Sequence, residues 1–148
     1  MAITITRADV KRKSMIPTSD TTYDSSIDGL ISEMQAAVEY SIADAYLTDT
    51  GNVGLQAALK LGMLEVISGE FLQQLARQAG NLEQFSVGGV TLGEMKERGP
   101  ALVQQGTARL APFLKSMQPM MSESSVKSTT RDSEPTFDLQ EMEQSPWE

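Results

Sequence analysis

The sequence has no cysteine and no histidine among its 148 residues. Disulfides, thiolate or imidazole metal sites, cysteine nucleophiles and histidine-based triads are therefore excluded. Most common hydrolytic and redox mechanisms go with them. Basic residues are scarce as well, 12 against 20 acids, for a formal charge of −8. A chain this acidic exerts no general pull on nucleic acid or an anionic membrane surface. No stretch approaches the ~20 consecutive apolar residues of a membrane span, and Met1-Ala2-Ile3-Thr4-Ile5 runs into Arg7 and Asp9 without the apolar centre of a signal peptide. No internal repeat recurs at a fixed period, which argues against solenoids and propellers. These absences point to a soluble protein made and used without export, and no cofactor or metal is expected.

What is present divides near Met117. Residues 117–148 hold seven acids against two bases, a net charge of −5, while residues 1–116 carry only −3. The Ser/Thr-rich run at 122–130 cannot bury enough apolar surface to order itself. The expected organisation is a helical bundle over 1–116, with a β-hairpin at about 84–93, followed by an acidic extended tail that a partner orders. The fold class is mainly α: a small bundle around a long central helix.

Thr6-Arg7-Ala8-Asp9 has the form of a capping box and predicts a short helix through Lys13, closed off before Pro17. Ser25-Ser26-Ile27-Asp28 repeats the signal, with Asp24 and Asp28 placed where the helix dipole favours acids. From there Ile27, Leu30, Ile31, Met34, Val38, Ile42 and Ala45 recur in steps of three and four, so one amphipathic helix is predicted up to Thr50-Gly51. A long helix follows over 52–79, started by Asn52 and stopped by Gly80-Asn81. Its apolar residues spread over two surfaces, which suits a central helix or one held between subunits. Gly54, Ala58, Gly62 and Gly69 line up as a small-residue stripe. Since mid-helix glycine costs ~1 kcal/mol against alanine, Gly62 and Gly69 predict close packing of another helix or subunit.

Phe85-Ser86-Val87-Gly88-Gly89-Val90-Thr91-Leu92 alternates apolar and polar residues around a glycine pair suited to a two-residue turn. That predicts a hairpin with Val87 opposite Val90 and Phe85 opposite Leu92, lying against helices or neighbouring chains because an isolated hairpin is marginal. One turn at Glu94 to Arg98 is expected next. Gly99-Pro100 would then start a last helix carrying Leu102, Gly106, Leu110, Phe113, Leu114 and Met117 inward, with Pro112 shortening it.

The candidates for chemistry each have a plainer reading. Gly88 to Gly93 has phosphate-loop glycine spacing, but Glu94 and Met95 stand where that loop needs lysine and a hydroxyl. Asp20, Asp24 and Asp28 lack the glycine and closing glutamate of a calcium loop, so capping is the reading adopted. Glu65 with Glu70, or Glu94 with Glu97, would need an apolar cleft to act as acid and base. Lys11-Arg12-Lys13, without interleaved aromatics, reads as a solvated helix end or a contact for an acidic partner. In the tail, Phe137, Leu139, Met142 and the single Trp147 are spaced among acids and prolines in the manner of anchors on an extended, partner-docking peptide.

Taken in order, a short capped helix, an amphipathic helix with Ile27-Asp28-Gly29-Leu30-Ile31, a long helix with Leu59-Lys60-Leu61-Gly62-Met63-Leu64, a hairpin, a last helix ending Ala108-Arg109-Leu110-Ala111-Pro112-Phe113 and an extended tail resemble the head–tail connector, or adaptor, proteins of tailed bacteriophages. The resemblance covers roughly residues 5–116. It departs from the family where Gly51-Asn52-Val53-Gly54, rather than a proline, leads into the long helix. It implies a non-enzymatic virion protein of the neck, made in the host cytoplasm. Such a protein forms a homo-oligomeric ring, commonly twelvefold, between the portal protein and a tail-side neck or tail-terminator protein. DNA would pass through its channel without specific binding. The rival class is a cellular helical interaction module, a small regulator or chaperone with an acidic partner-binding tail.

Overall fold

Local capping sets the ends of two helices in the computed structural model, which describes residues 3–79, 86–87 and 89–116. The Thr6 hydroxyl accepts from the Asp9 N–H while the Asp9 carboxylate accepts from the Thr6 N–H, and this capping box opens α1 (Arg7–Lys13). The fold is mainly helical, as the sequence predicts. Packing divides the chain after Lys115.

The next helix, α2 (Asp24–Ser41), has Tyr23 at its cap position, two residues before the predicted cap Ser25, and no side-chain cap. Ion pairing overrides capping there. Asp24 pairs with Arg7 and Lys11, and Asp28 with Arg7, so the first turn of α2 is fixed by α1. Its predicted continuation through Ala45, to an end before Thr50-Gly51, is also corrected. Ile42 leaves the helix in extended conformation, fully buried, and forms an antiparallel bridge with Leu114. Flanking bonds hold that pairing: the Ala43 N–H donates to the Phe113 carbonyl and the Lys115 N–H to the Ser41 carbonyl, each at 2.9 Å. A short α3 (Asp44–Thr48) follows.

The long helix, α4 (Val53–Ala79), is 27 residues and so about 40 Å in length. The Asn52 side chain accepts from the Leu55 N–H at its start; the expected stop at Gly80-Asn81 lies outside the described residues. Leu59, Met63, Ile67, Phe71, Leu72 and Leu75 are all buried, which makes α4 the centre of the core. Tyr23 meets Phe71 edge-on at 6.3 Å, tying α2 to it.

In the hairpin, β1 (Ser86–Val87) pairs antiparallel with β2 (Val90–Thr91), Val87 opposite Val90. Gly89 supplies a φ of +87°, open to glycine at little cost. The outer pair differs from expectation. Phe85 lies outside the described residues, and Leu92 is not in a strand but is the first residue of α5 (Leu92–Leu110). The reason is a second capping box, in which Thr91 and Glu94 exchange bonds. One continuous helix therefore replaces the predicted turn and restart, and Pro100 sits inside it. Gly99 makes this possible, because without a Cβ it avoids the clash that keeps residues before proline out of the helical region. The carbonyl left without a donor belongs to Lys96, which is exposed. At the other end Pro112 falls in a 3-10 turn (Ala111–Phe113), and α5 stops at Leu110.

The Thr91→Ala variant is expected to lose about 1 kcal/mol of unfolding free energy in urea, the usual worth of such a cap. Bonds from the Thr91 N–H and hydroxyl hold the Glu94 carboxyl below the usual carboxylate range. Its share is therefore present above the ordinary pKa of glutamate and fades as pH falls through the lowered folded value.

Candidate functional site

Helix α5 runs antiparallel along α4 through a seam of glycines. Gly62 lies against Gly106 and Gly69 against Gly99, glycines seven residues apart on each helix. A Cβ added at Gly69 would come 2.6 Å from the Gly99 carbonyl oxygen, and one at Gly106 would come 2.6 Å from that of Gly62. The partner of the predicted small-residue stripe is thus a helix of the same chain. Gly54 and Ala58, predicted to continue it, are exposed. Gly106 faces inward as the sequence predicts, but its pairing with Gly62 and the part of Gly99 are not in that reading; the equal heptad spacing on both helices is the signal that pairs them. Val87 and Val90 are buried against the chain's own core, and Leu92 is buried at the start of α5.

The basic cluster of α1 is not a solvated helix end. Lys11 is 3% exposed. Its ammonium pairs with Asp24 and donates to the Thr18 carbonyl at 3.2 Å. Lys13 reaches Glu65 at 3.3 Å, which leaves Arg12, at 76% side-chain exposure, as the member that faces water. Glu65 is the deepest charge in the described chain, 1% exposed, and its second oxygen accepts from the Arg109 Nε at 2.8 Å. It joins α1, α4 and α5 at one point. From sequence it was weighed only with Glu70, which pairs instead with Arg77.

Other carboxylates are held in the same way. Arg7 keeps Asp28 below the usual carboxylate range, chiefly by hydrogen bonding. Burial pushes Asp9 up, but bonds from Thr6 and Lys60 outweigh it and the net shift is downward. Asp20 is lowered by hydrogen bonding to Thr22, chiefly through the Thr22 side chain and then through the Thr22 N–H at 3.0 Å. Among the described residues no group of three or more acids is placed to hold a metal ion, and no helix is long and apolar enough to cross a membrane.

An open groove of about 430 Å³ lies between the N-terminal segment and the start of α4, lined by Ile3, Thr4, Val53, Gln56 and Ala57 among others. Its one titratable side chain, Lys60, is tied to Asp9 at 3.3 Å. The groove therefore offers surface rather than a poised acid or base. The expected tail anchors Phe137, Leu139, Met142 and Trp147 lie outside the described residues, as does Met117. Comparison with family models, curated proteins and solved structures gives no match to the chain.

Proposed function

We propose that this chain is a structural head–tail adaptor of a tailed-phage virion, a ring beneath the portal that extends the DNA channel and presents a platform to the tail. The observation that carries the reading is the order of elements: capped short helix, α2, the short α3, long central helix, hairpin, and a last helix that stops at Leu110 with Pro112-Phe113 in the turn after it, in a chain whose last residues are acidic. The closed ion pairs of the described residues support a scaffold role, because their charges are spent on holding helices together. The acidic balance suits a channel through which DNA slides, since few cations are left to neutralise phosphates.

In this reading the tail is the anchor to portal-bearing heads. Ordering it costs ~1–2 kcal/mol per residue in backbone entropy. Burial of Phe137, Leu139, Met142 and Trp147 offsets roughly 1.5–3 kcal/mol per side chain, and backbone pairing with the partner must supply the rest. Deleting residues 117–148 is expected to leave the helical dichroism of the remaining chain unchanged while abolishing joining of tails to filled heads. Electron micrographs of particles made with the truncated chain read this directly. Tailed particles at normal yield would remove the anchor role from the tail.

A further inference from the structure

The corner between α2 and α3 is held against the helical preference of its own sequence. From Leu30 to Thr50 the chain has neither glycine nor proline, and Ile42 and Ala45 continue the apolar period of Met34 and Val38. Yet Ile42 and Ala43 are extended, with ψ of 140° and 133°, and α3 resumes at Asp44 without a side-chain cap or a buried residue. Two residues that are not helix breakers thus separate two helices. A local preference overruled in this way is where two packings of one sequence compete.

What overrules it is the segment that follows α5. The Ala43 N–H donates to the Phe113 carbonyl and the Lys115 N–H to the Ser41 carbonyl, each at 2.9 Å, on either side of the Ile42–Leu114 bridge. In an unbroken helix the Ala43 N–H would go to the Glu39 carbonyl instead, and the Ser41 carbonyl would accept from the Ala45 N–H. The same donor and the same acceptor therefore serve either the bridge or the helix. Side chains add contacts at the rim: the Lys115 ammonium lies 3.4 Å from Asp44 and 4.6 Å over the Tyr40 ring, and Phe113 meets Tyr46 edge-on at 5.2 Å. Asp44 and Tyr40 are both largely exposed, so the ion pair adds little. Ile42 would stay on the face of Val38 in a straight helix, four residues on, so straightening does not turn it out to water.

We propose that residues 113–115 are a releasable clasp: paired, they hold the chain broken at Ile42 and Ala43; released, they let α2 and α3 join into one helix over 24–48. Straightening also parts the Gln56 amide from the Tyr46 and Asp49 carbonyls, to which it donates at 3.0 and 2.9 Å. Residues 49–52 then take up the swing. Lys115 is the last residue of the packed unit, so a pull on the chain beyond it is borne first by these bonds. The switch is a property of the chain's own fold and stands whether or not the adaptor reading does.

Carbon-13 chemical shifts of the full chain test it. Lys115→Pro removes the N–H that reaches Ser41, along with the ammonium, and leaves Leu114 in the extended conformation that it already has, with ψ of 149°. In that variant the Cα shifts of Ile42 and Ala43 are expected to move from the extended to the helical side of their random-coil values, while those of α4 and α5 stay as in the parent. Asp44→Pro has the opposite bias. Proline suits the first position of α3 after an extended Ala43, but it cannot stand inside a continuous helix. Adding it to Lys115→Pro should return Ile42 and Ala43 to extended shifts. The clasp is overturned if Lys115→Pro leaves those two residues extended, if residues 44–48 lose their helical shifts instead, or if the variant loses the fold of α4 and α5. It is overturned equally if the double variant keeps Ile42 and Ala43 helical.

Discussion

Gly69→Ala and Gly106→Ala are expected to destabilise the protein by roughly 2–3 kcal/mol each, although alanine is the better helix former by ~1 kcal/mol. At Gly69 the new methyl would meet the Gly99 carbonyl oxygen at 2.6 Å and the Val103 nitrogen at 2.8 Å. At Gly106 it would meet the Gly62 carbonyl oxygen at 2.6 Å and the Val66 nitrogen at 2.8 Å. These are backbone atoms in the middle of facing helices, so relief requires α4 and α5 to part along the seam. Gly62 is the milder case. Its nearest obstacle is the Leu110 side chain at 2.8 Å, with the Gly106 carbonyl oxygen at 3.3 Å, and a leucine end can turn away. The Gly62→Ala loss should then be about 1 kcal/mol or less. Gly29 on α2 has nothing within 4 Å of its would-be Cβ and serves as the control, where alanine should gain about 0.5–1 kcal/mol. Urea unfolding of the four variants gives the order. Equal stability of Gly69→Ala and Gly29→Ala would show that the helices do not meet through glycine.

The same seam shows which features the sequence made legible. Gly62 and Gly69 could be read as a contact face because mid-helix glycine is costly wherever it stands. Of their partners, Gly106 is legible as an inward residue, but Gly99 is not, since it precedes a proline and reads as the start of a helix rather than its middle. Capping at Thr6 is a contact over three residues and was read correctly; the equivalent Thr91–Glu94 box was hidden by the strand-like alternation ending at Leu92. Ile42 continues the helical period of Val38 without interruption, yet the backbone turns there, because a bridge to the distant Leu114 decides its conformation. Charges were the least legible. Lys11, Lys13 and Glu65 look like surface residues by type; the pairing of α1 with α2 buries Lys11, and the packing of α1 and α5 onto α4 buries Glu65 and screens Lys13. For the tail, composition carried the whole reading.

Removing both cations around Glu65 is expected to cost more than removing Glu65 itself. The carboxylate is 1% exposed and touches the Lys13 ammonium at 3.3 Å and the Arg109 guanidinium at 2.8 Å, whereas those side chains keep 29% and 44% of their exposure. If Glu65 is replaced by methionine, the cavity stays filled and both cations can swing into water, so the change in stability should be within about 1.5 kcal/mol. The double variant Lys13→Met, Arg109→Met strands an ionised carboxylate among apolar helices. Leaving a buried charge without its partner costs ~3–5 kcal/mol. Adding Glu65→Met to that double variant should then restore most of what was lost, since no charge remains to be compensated. Urea unfolding of the double and triple variants measures the difference, with far-ultraviolet dichroism as the check that the helices are retained. If the double variant stays within 1 kcal/mol of the parent, or the triple variant recovers nothing, Glu65 reaches water by some path and the three helices are joined by packing alone.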